Sequence, residues 1–208
     1  MGAAARLYGG CLRFQGARGV LEGKARRPRA DAARNHGRLL AAAKAVFSEM
    51  GAGASLEAVA RAAGVGIGTL YRHFPTRDAL WEAVYRREVE QLVELAGQLA
   101  SCPDPFDAMR RWLRATVAFV ATKKGMGAAL AVAYGAAELR AYASDRLMGA
   151  VGSLMAHGVA AGALRPDARP ADLLQVLFAL CHNSDAPGWQ DDVLRLMDVF
   201  LDGLRLKR

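Results

Sequence analysis

From Ser55 to Phe74 the chain reads SLEAVARAAGVGIGTLYRHF, two helix-forming runs parted by Gly64 and Val65. No other stretch narrows the fold as much. Runs of roughly 8 residues, Ser55–Ala63 and Gly66–His73, match a helix-turn-helix in length and in turn chemistry. The glycines beside Thr69, Tyr71, Arg72 and His73 admit three chemistries: a phosphate-cradling loop, a catalytic or metal-binding turn, and the rim of a DNA-reading helix.

An ordinary corner between two helices would look similar, and the surroundings argue against it. Met1 to Asp78 holds 13 Lys and Arg against 5 Asp and Glu, whereas the remaining residues hold 15 against 15, so the whole formal charge of +8 sits in the first part. A basic head on a neutral body is what a polyanion partner selects, because Lys and Arg displace counterions from phosphates. A supporting helix precedes the pair: Leu39, Leu40, Ala43, Val46, Phe47 and Met50 form one stripe after an Asp31 cap, ended by Gly51. Outside the Val65, Leu70 and Phe74 seam, the second short helix carries Gly66, Ile67, Thr69, Arg72 and Tyr71 or His73, donors rather than acids.

The competing chemistries lack their partners. GVGIGT has neither the preceding strand of a dinucleotide fold nor the lysine of a nucleotide-triphosphate loop. His36, His73, His157 and His182 are scattered, and Cys11, Cys102 and Cys181 have no CxxC spacing, so no metal, cofactor or disulfide framework is expected. Cys181 beside His182 lies in the apolar run DLLQVLFALCHN, where a small buried thiol is the commoner explanation than a nucleophile. No catalytic residue is assigned.

Between Asp31 and about Glu90, and above all over SLEAVARAAGVGIGTLYRHFPTRDAL, the chain resembles the TetR family of bacterial transcriptional regulators. Phe47 and Gly51 match the aromatic and glycine that end the family's first helix, and the terminal DVFLDGLR adds to the likeness. The resemblance implies a dimeric regulator of double-stranded DNA with a palindromic operator, most simply a repressor released by a small-molecule effector. It also implies that the helix Gly66–His73 enters the major groove. Thr69, Tyr71, His73, Thr76 and Arg77 would then hold phosphates, Gly68 would let backbone approach the duplex, and Ile67, Thr69 and Arg72 would face bases. Ser55, as the cap of the preceding helix, and Gly66 complete the contact set. Many family members carry a serine cap and a polar reader at the positions of Gly66 and Ile67, so an apolar contact with a thymine methyl is expected here. Tyr71 and His73 also suit a bracing role against the next helix, and Arg72 a solvated charge. A helical ligand-binding or enzymatic protein whose head grips a protein partner is the alternative function.

The expected architecture is all-α, about nine helices: a basic, disordered arm over 1–30, a head over 31–76 and a body over 77–208. Thr76 caps a long helix to about Leu99, Asp104 caps the next, and further helices are read at Met126–Tyr134, Ala136–Ala161, Ala171–His182 and from Trp189 to about Leu206. The arm reads as solvated or as the product of a start codon placed too far upstream. Leu147 to Leu164 carries no formal charge, yet its apolar residues recur at three- and four-residue steps diluted by glycines, the pattern of a soluble bundle and not of a span. A cytoplasmic protein without a membrane partner is expected. Trp112, Phe119, Met126, Tyr134, Met148, Met155 and Phe178 are the candidates for an effector pocket, between the long helix from Thr76 and the helix over Ala136–Ala161. Leu173, Leu177, Leu194, Met197, Leu201 and Leu204 are those for the dimer interface. No cluster of buried charges announces a ligand class.

Overall fold

The computed structural model describes residues 23–125, 136–184 and 186–206. They form α1 (Gly23–Met50), α2 (Leu56–Ala63), α3 (Ile67–His73), α4 (Arg77–Leu99), α5 (Pro105–Gly125), α6 (Ala136–Ala160), α7 (Pro170–His182) and α8 (Trp189–Gly203), with a 3-10 turn at Gly51–Gly53. Among the described residues there is no strand, only an isolated bridge between Leu164 and Arg205. The expected helix over Met126–Tyr134 lies outside the described residues, as does the basic arm before Gly23.

α1 starts at Gly23 and not at Asp31. That stretch carries Lys, Arg and Ala, which favour helix, and Pro28, which does not, and Asp31 sits inside α1 with its carboxylate accepting from Arg34 at 3.1 Å. The other starts follow the cap chemistry. Ser55 Oγ accepts from Ala58 N at 3.1 Å, Thr76 Oγ1 from Ala79 N at 3.0 Å, and Asp104 Oδ1 from Phe106 N at 2.8 Å.

Two cores divide the chain. In the head, Leu39, Phe47, Val59, Leu70 and Phe74 from α1, α2 and α3 close against Leu80, Trp81 and Val84 of α4. Phe47 and Trp81 stack face to face, with ring centroids 3.8 Å apart and planes within 6°. The body core begins at the next residue, Tyr85, and continues through Val89 and Leu92 into α5, α6, α7 and α8. One helix therefore serves both cores, because its buried positions fall at three- and four-residue steps from Leu80 to Leu99.

Polar ties fix α4 in place. Glu90 receives Arg146 of α6 through Nε at 2.8 Å and Nη2 at 2.5 Å, and Tyr142 donates to the same carboxylate. These bonds hold the Glu90 carboxyl below its usual range. On the head side, Lys44 of α1 pairs with the nearly buried Glu88. Arg110 of α5 reaches Asp198 of α8 at 2.7 Å. In α6, a Cβ on Gly158 would lie 3.2 Å from Leu164 Cβ, so this glycine serves close packing within the body. No described helix is long and apolar enough to cross a membrane.

Candidate nucleic-acid interface and ligand cavity

The turn between α2 and α3 is built by backbone geometry. Gly64 takes the left-handed conformation at φ 63°, and Val65 N donates to Ala60 O at 3.0 Å to close the end of α2. A side chain there would be strained and its Cβ would stand 2.6 Å from Arg38 Nη2. Gly66 then starts α3 without a side-chain cap. Its carbonyl accepts from Thr69 N at 2.9 Å and Leu70 N at 3.2 Å.

α3 buries Leu70 and turns its opposite face outward. Ile67 is 38% and Tyr71 46% exposed, and nothing lies within 4 Å of where a Cβ on Gly68 would be. Arg72 folds back along its own helix, Nε donating to Gly68 O at 3.1 Å and Nη2 to Thr69 Oγ1 at 3.2 Å. His73 packs towards α1, its ring 5.7 Å from that of His36. His36 also lies 4.9 Å from Phe74; burial, then the charge of His73, holds its pKa below the ordinary histidine value.

Arg77, at the first position of α4, is pinned by aromatic faces. Its guanidinium carbon stands 5.9 Å from the ring centroids of both Phe47 and Trp81. Ser55 caps α2, Gly66 caps α3, Ile67, Gly68, Thr69, Tyr71, Arg72 and His73 lie on α3, and Thr76 and Arg77 cap and begin α4. The positions divide by orientation: Ile67, Gly68, Tyr71 and Arg72 are exposed, while Thr69, His73 and Arg77 are half-buried.

The body holds a half-open cavity of about 550 Å³ between α4, α5, α6 and α7. Of the residues proposed for a pocket, Phe119, Met148 and Phe178 line it. Trp112 and Met155 do not: both are buried in the core, and the Trp112 indole donates to Leu92 O at 3.0 Å. Met126 and Tyr134 lie outside the described residues. The wall also includes Tyr85, Lys123, Arg140, Gln175 and His182, which sequence reasoning passed over. Nothing in the local sequence marks them, since they come from four helices and meet only after folding.

Of the dimer candidates, Leu173, Leu177, Met197 and Leu201 are buried in the chain's own core, and Leu194 and Leu204 pack partly against it. Their burial needs no second copy. The outward apolar positions of α8 are Leu196, 42% exposed, and Val199, 68% exposed. Periodicity alone marks both sides of such a helix as apolar and cannot tell which one the body covers. Cys181 is fully buried, which pushes its thiol up to about 11, and His182 Nδ1 faces Phe178 O at 2.7 Å.

Residues 39–84 match the family described as bacterial regulatory proteins, tetR family, and residues 104–206 match the SbtR-like transcriptional regulator C-terminal domain. A comparison with the sequences of curated proteins found no match. Among solved structures, the TetR transcriptional regulator SCO0520 from Streptomyces coelicolor is 38% identical, over 83% of this chain and 99% of that one, with a TM-score of 0.74. A TetR transcription regulatory protein from Mycobacterium vanbaalenii is 33% identical over 86% and 99% of the two chains, with a TM-score of 0.70. PfmR, a TetR family regulator from Thermus thermophilus, shares the fold at 21% identity and a TM-score of 0.56, over 82% and 100% of the two chains.

Proposed function

The chain belongs to the TetR family of bacterial transcriptional regulators, and from that premise we propose that it is a dimeric repressor released from a palindromic operator by a small molecule. The outward face of α3 carries the reading. Exposed Ile67 and Tyr71 flank the open surface of Gly68, a combination that gains by burial against a groove and admits close backbone approach. Ile67 meets a thymine methyl, Thr69 a base edge or phosphate, and Tyr71, His73, Thr76 and Arg77 the phosphate backbone. Arg72, folded onto Thr69, presents its remaining donors from a fixed position. Ser55 and Thr76 hold the first turns of α2 and α4, whose N-H groups suit anionic oxygens.

A dimer supplies the second head, because recognition helices about 34 Å apart fit successive major grooves. The exposed Leu196 and Val199 favour α8 as part of the two-fold face. Release follows from α4. Tyr85 touches the cavity while Val84, one residue earlier, belongs to the head core, so a ligand that shifts Tyr85 shifts the head with it. The ligand must favour the released state by about 1 to 3 kcal/mol to act as an inducer.

The test is a selection of bound fragments from random DNA, followed by titration of the recovered duplex at several salt concentrations. Thymine should be enriched opposite Ile67. Arg77→Ala should weaken recovered and random duplexes alike and lower the salt slope by about one. A wild-type protein with no salt-dependent duplex binding would assign the head to a protein partner instead.

A further inference from the structure

Most of the cavity wall is apolar, formed by Tyr85, Phe119, Leu147, Met148 and Phe178. Lys123, Lys124 and Arg140 are the ionised side chains that line it, and no described carboxylate does.

Five arginines elsewhere pair closely with carboxylates: Arg86 with Glu82, Arg110 with Asp198, Arg146 with Glu90, Arg165 with Asp167 and Arg169 with Asp172, all at 2.5–2.8 Å. Lys124 is engaged at the rim, donating to Ser184 O at 2.7 Å with its ammonium 4.6 Å from the Trp189 ring. Lys123 and Arg140 have no such carboxylate among the described residues, and Lys123 instead lies 5.9 Å from the Tyr85 ring centroid. Burial first, and then the charge of Arg140, holds the Lys123 ammonium below the usual lysine value. Two cations from different helices, the half-buried Lys123 and the exposed Arg140, thus meet at one wall, an arrangement that an anion relieves.

Resting on the reading of this cavity as the effector site, we propose that its ligand is an organic oxyanion: an acidic head between Arg140 and Lys123, and an apolar body against Phe119, Leu147, Met148 and Phe178. The guanidinium fork suits a carboxylate or a phosphate equally, and the lysine adds a point charge. The volume suits one ligand of ordinary small-molecule size.

Calorimetric titration of the full chain with decanoate, decyl phosphate and decanol, and with naphthoate and naphthylmethanol, separates head from body. The anions should bind at least about tenfold tighter than the alcohol of the same skeleton. Arg140→Gln should remove about tenfold or more of that preference and leave alcohol binding unchanged. Lys123→Met provides a second variant at the same wall, with thermal melts confirming that both remain folded. Binding by none of the five, alcohols bound as tightly as anions, or a preference that survives both substitutions would overturn the anion site. Which acid binds tighter identifies the head group. Operator titration in the presence of decanoate keeps the two readings apart. Binding in the cavity without a change in operator affinity sinks the effector role and leaves the anion site; release indifferent to Arg140 does the reverse.

Discussion

The head and the body are built from the same kind of helix but organised around different things. In the head, α1, α2 and α3 close tightly on the stacked pair Phe47 and Trp81, and the surface opposite is left to caps, glycines and donors. In the body, α5, α6 and α7 pack with the second half of α4 around a cavity of about 550 Å³ whose polar groups arrive from separate elements. The difference teaches where function is written. On the proposed function, a partner of constant chemistry, a phosphate backbone, is met by residues close together in the chain, and a partner of variable chemistry by residues that only folding assembles.

The largest test of this division is Phe47→Ala. It removes one face of the aromatic stack at a fully buried site and should cost about 3 to 5 kcal/mol. If the two cores are separable, hydrogen exchange will accelerate in α1, α2 and α3 while α5, α7 and α8 keep their protection and decanoate still binds. Equal loss throughout would make the two cores one cooperative unit. A milder probe is Gly64→Ala, which forces a β-carbon into the left-handed region and should cost about 1 to 2 kcal/mol. Arg38 can swing its guanidinium aside, so backbone strain dominates, and a thermal melt should show the loss in the head alone.

The smallest effect is a dependence on pH confined to the head. The fold lowers the pKa of His36, so it favours the neutral ring; that contribution is complete above the unfolded value of about 6.5 and fades as pH falls below it. Head protection should therefore decline between about pH 7 and 5, and His36→Gln should flatten the decline. Glu90, Asp167 and Asp172 of the body, whose pKa values are lowered, remain ionised throughout that window. A body that loosens in parallel would erase the distinction.

Much of the head was legible because its rules act over a few residues. Ser55 and Thr76 cap as their side-chain chemistry requires, and Gly64 turns the chain where only glycine is comfortable. Longer-range features were not. Trp112 and Met155 look like pocket residues by type, yet they point into the core, while Lys123 and Arg140 look like surface charges and meet at the cavity. The inward side of α7 and α8 was hidden for the same reason: an apolar stripe has no address until its neighbours are placed. The start of α1 depends on helix propensity across a basic run and not on one acidic cap.

The step from Val84 to Tyr85 has a consequence for any attempt to exchange parts between proteins of this build. Because α4 is continuous there, it sets rotational phase as well as distance. One residue inserted between them would advance the head by about 1.5 Å and turn it through roughly 100° relative to the body. A splice that keeps phase joins two working parts; a splice off by a single residue points the outward face of α3 in another direction and breaks the Lys44–Glu88 pair that crosses the junction.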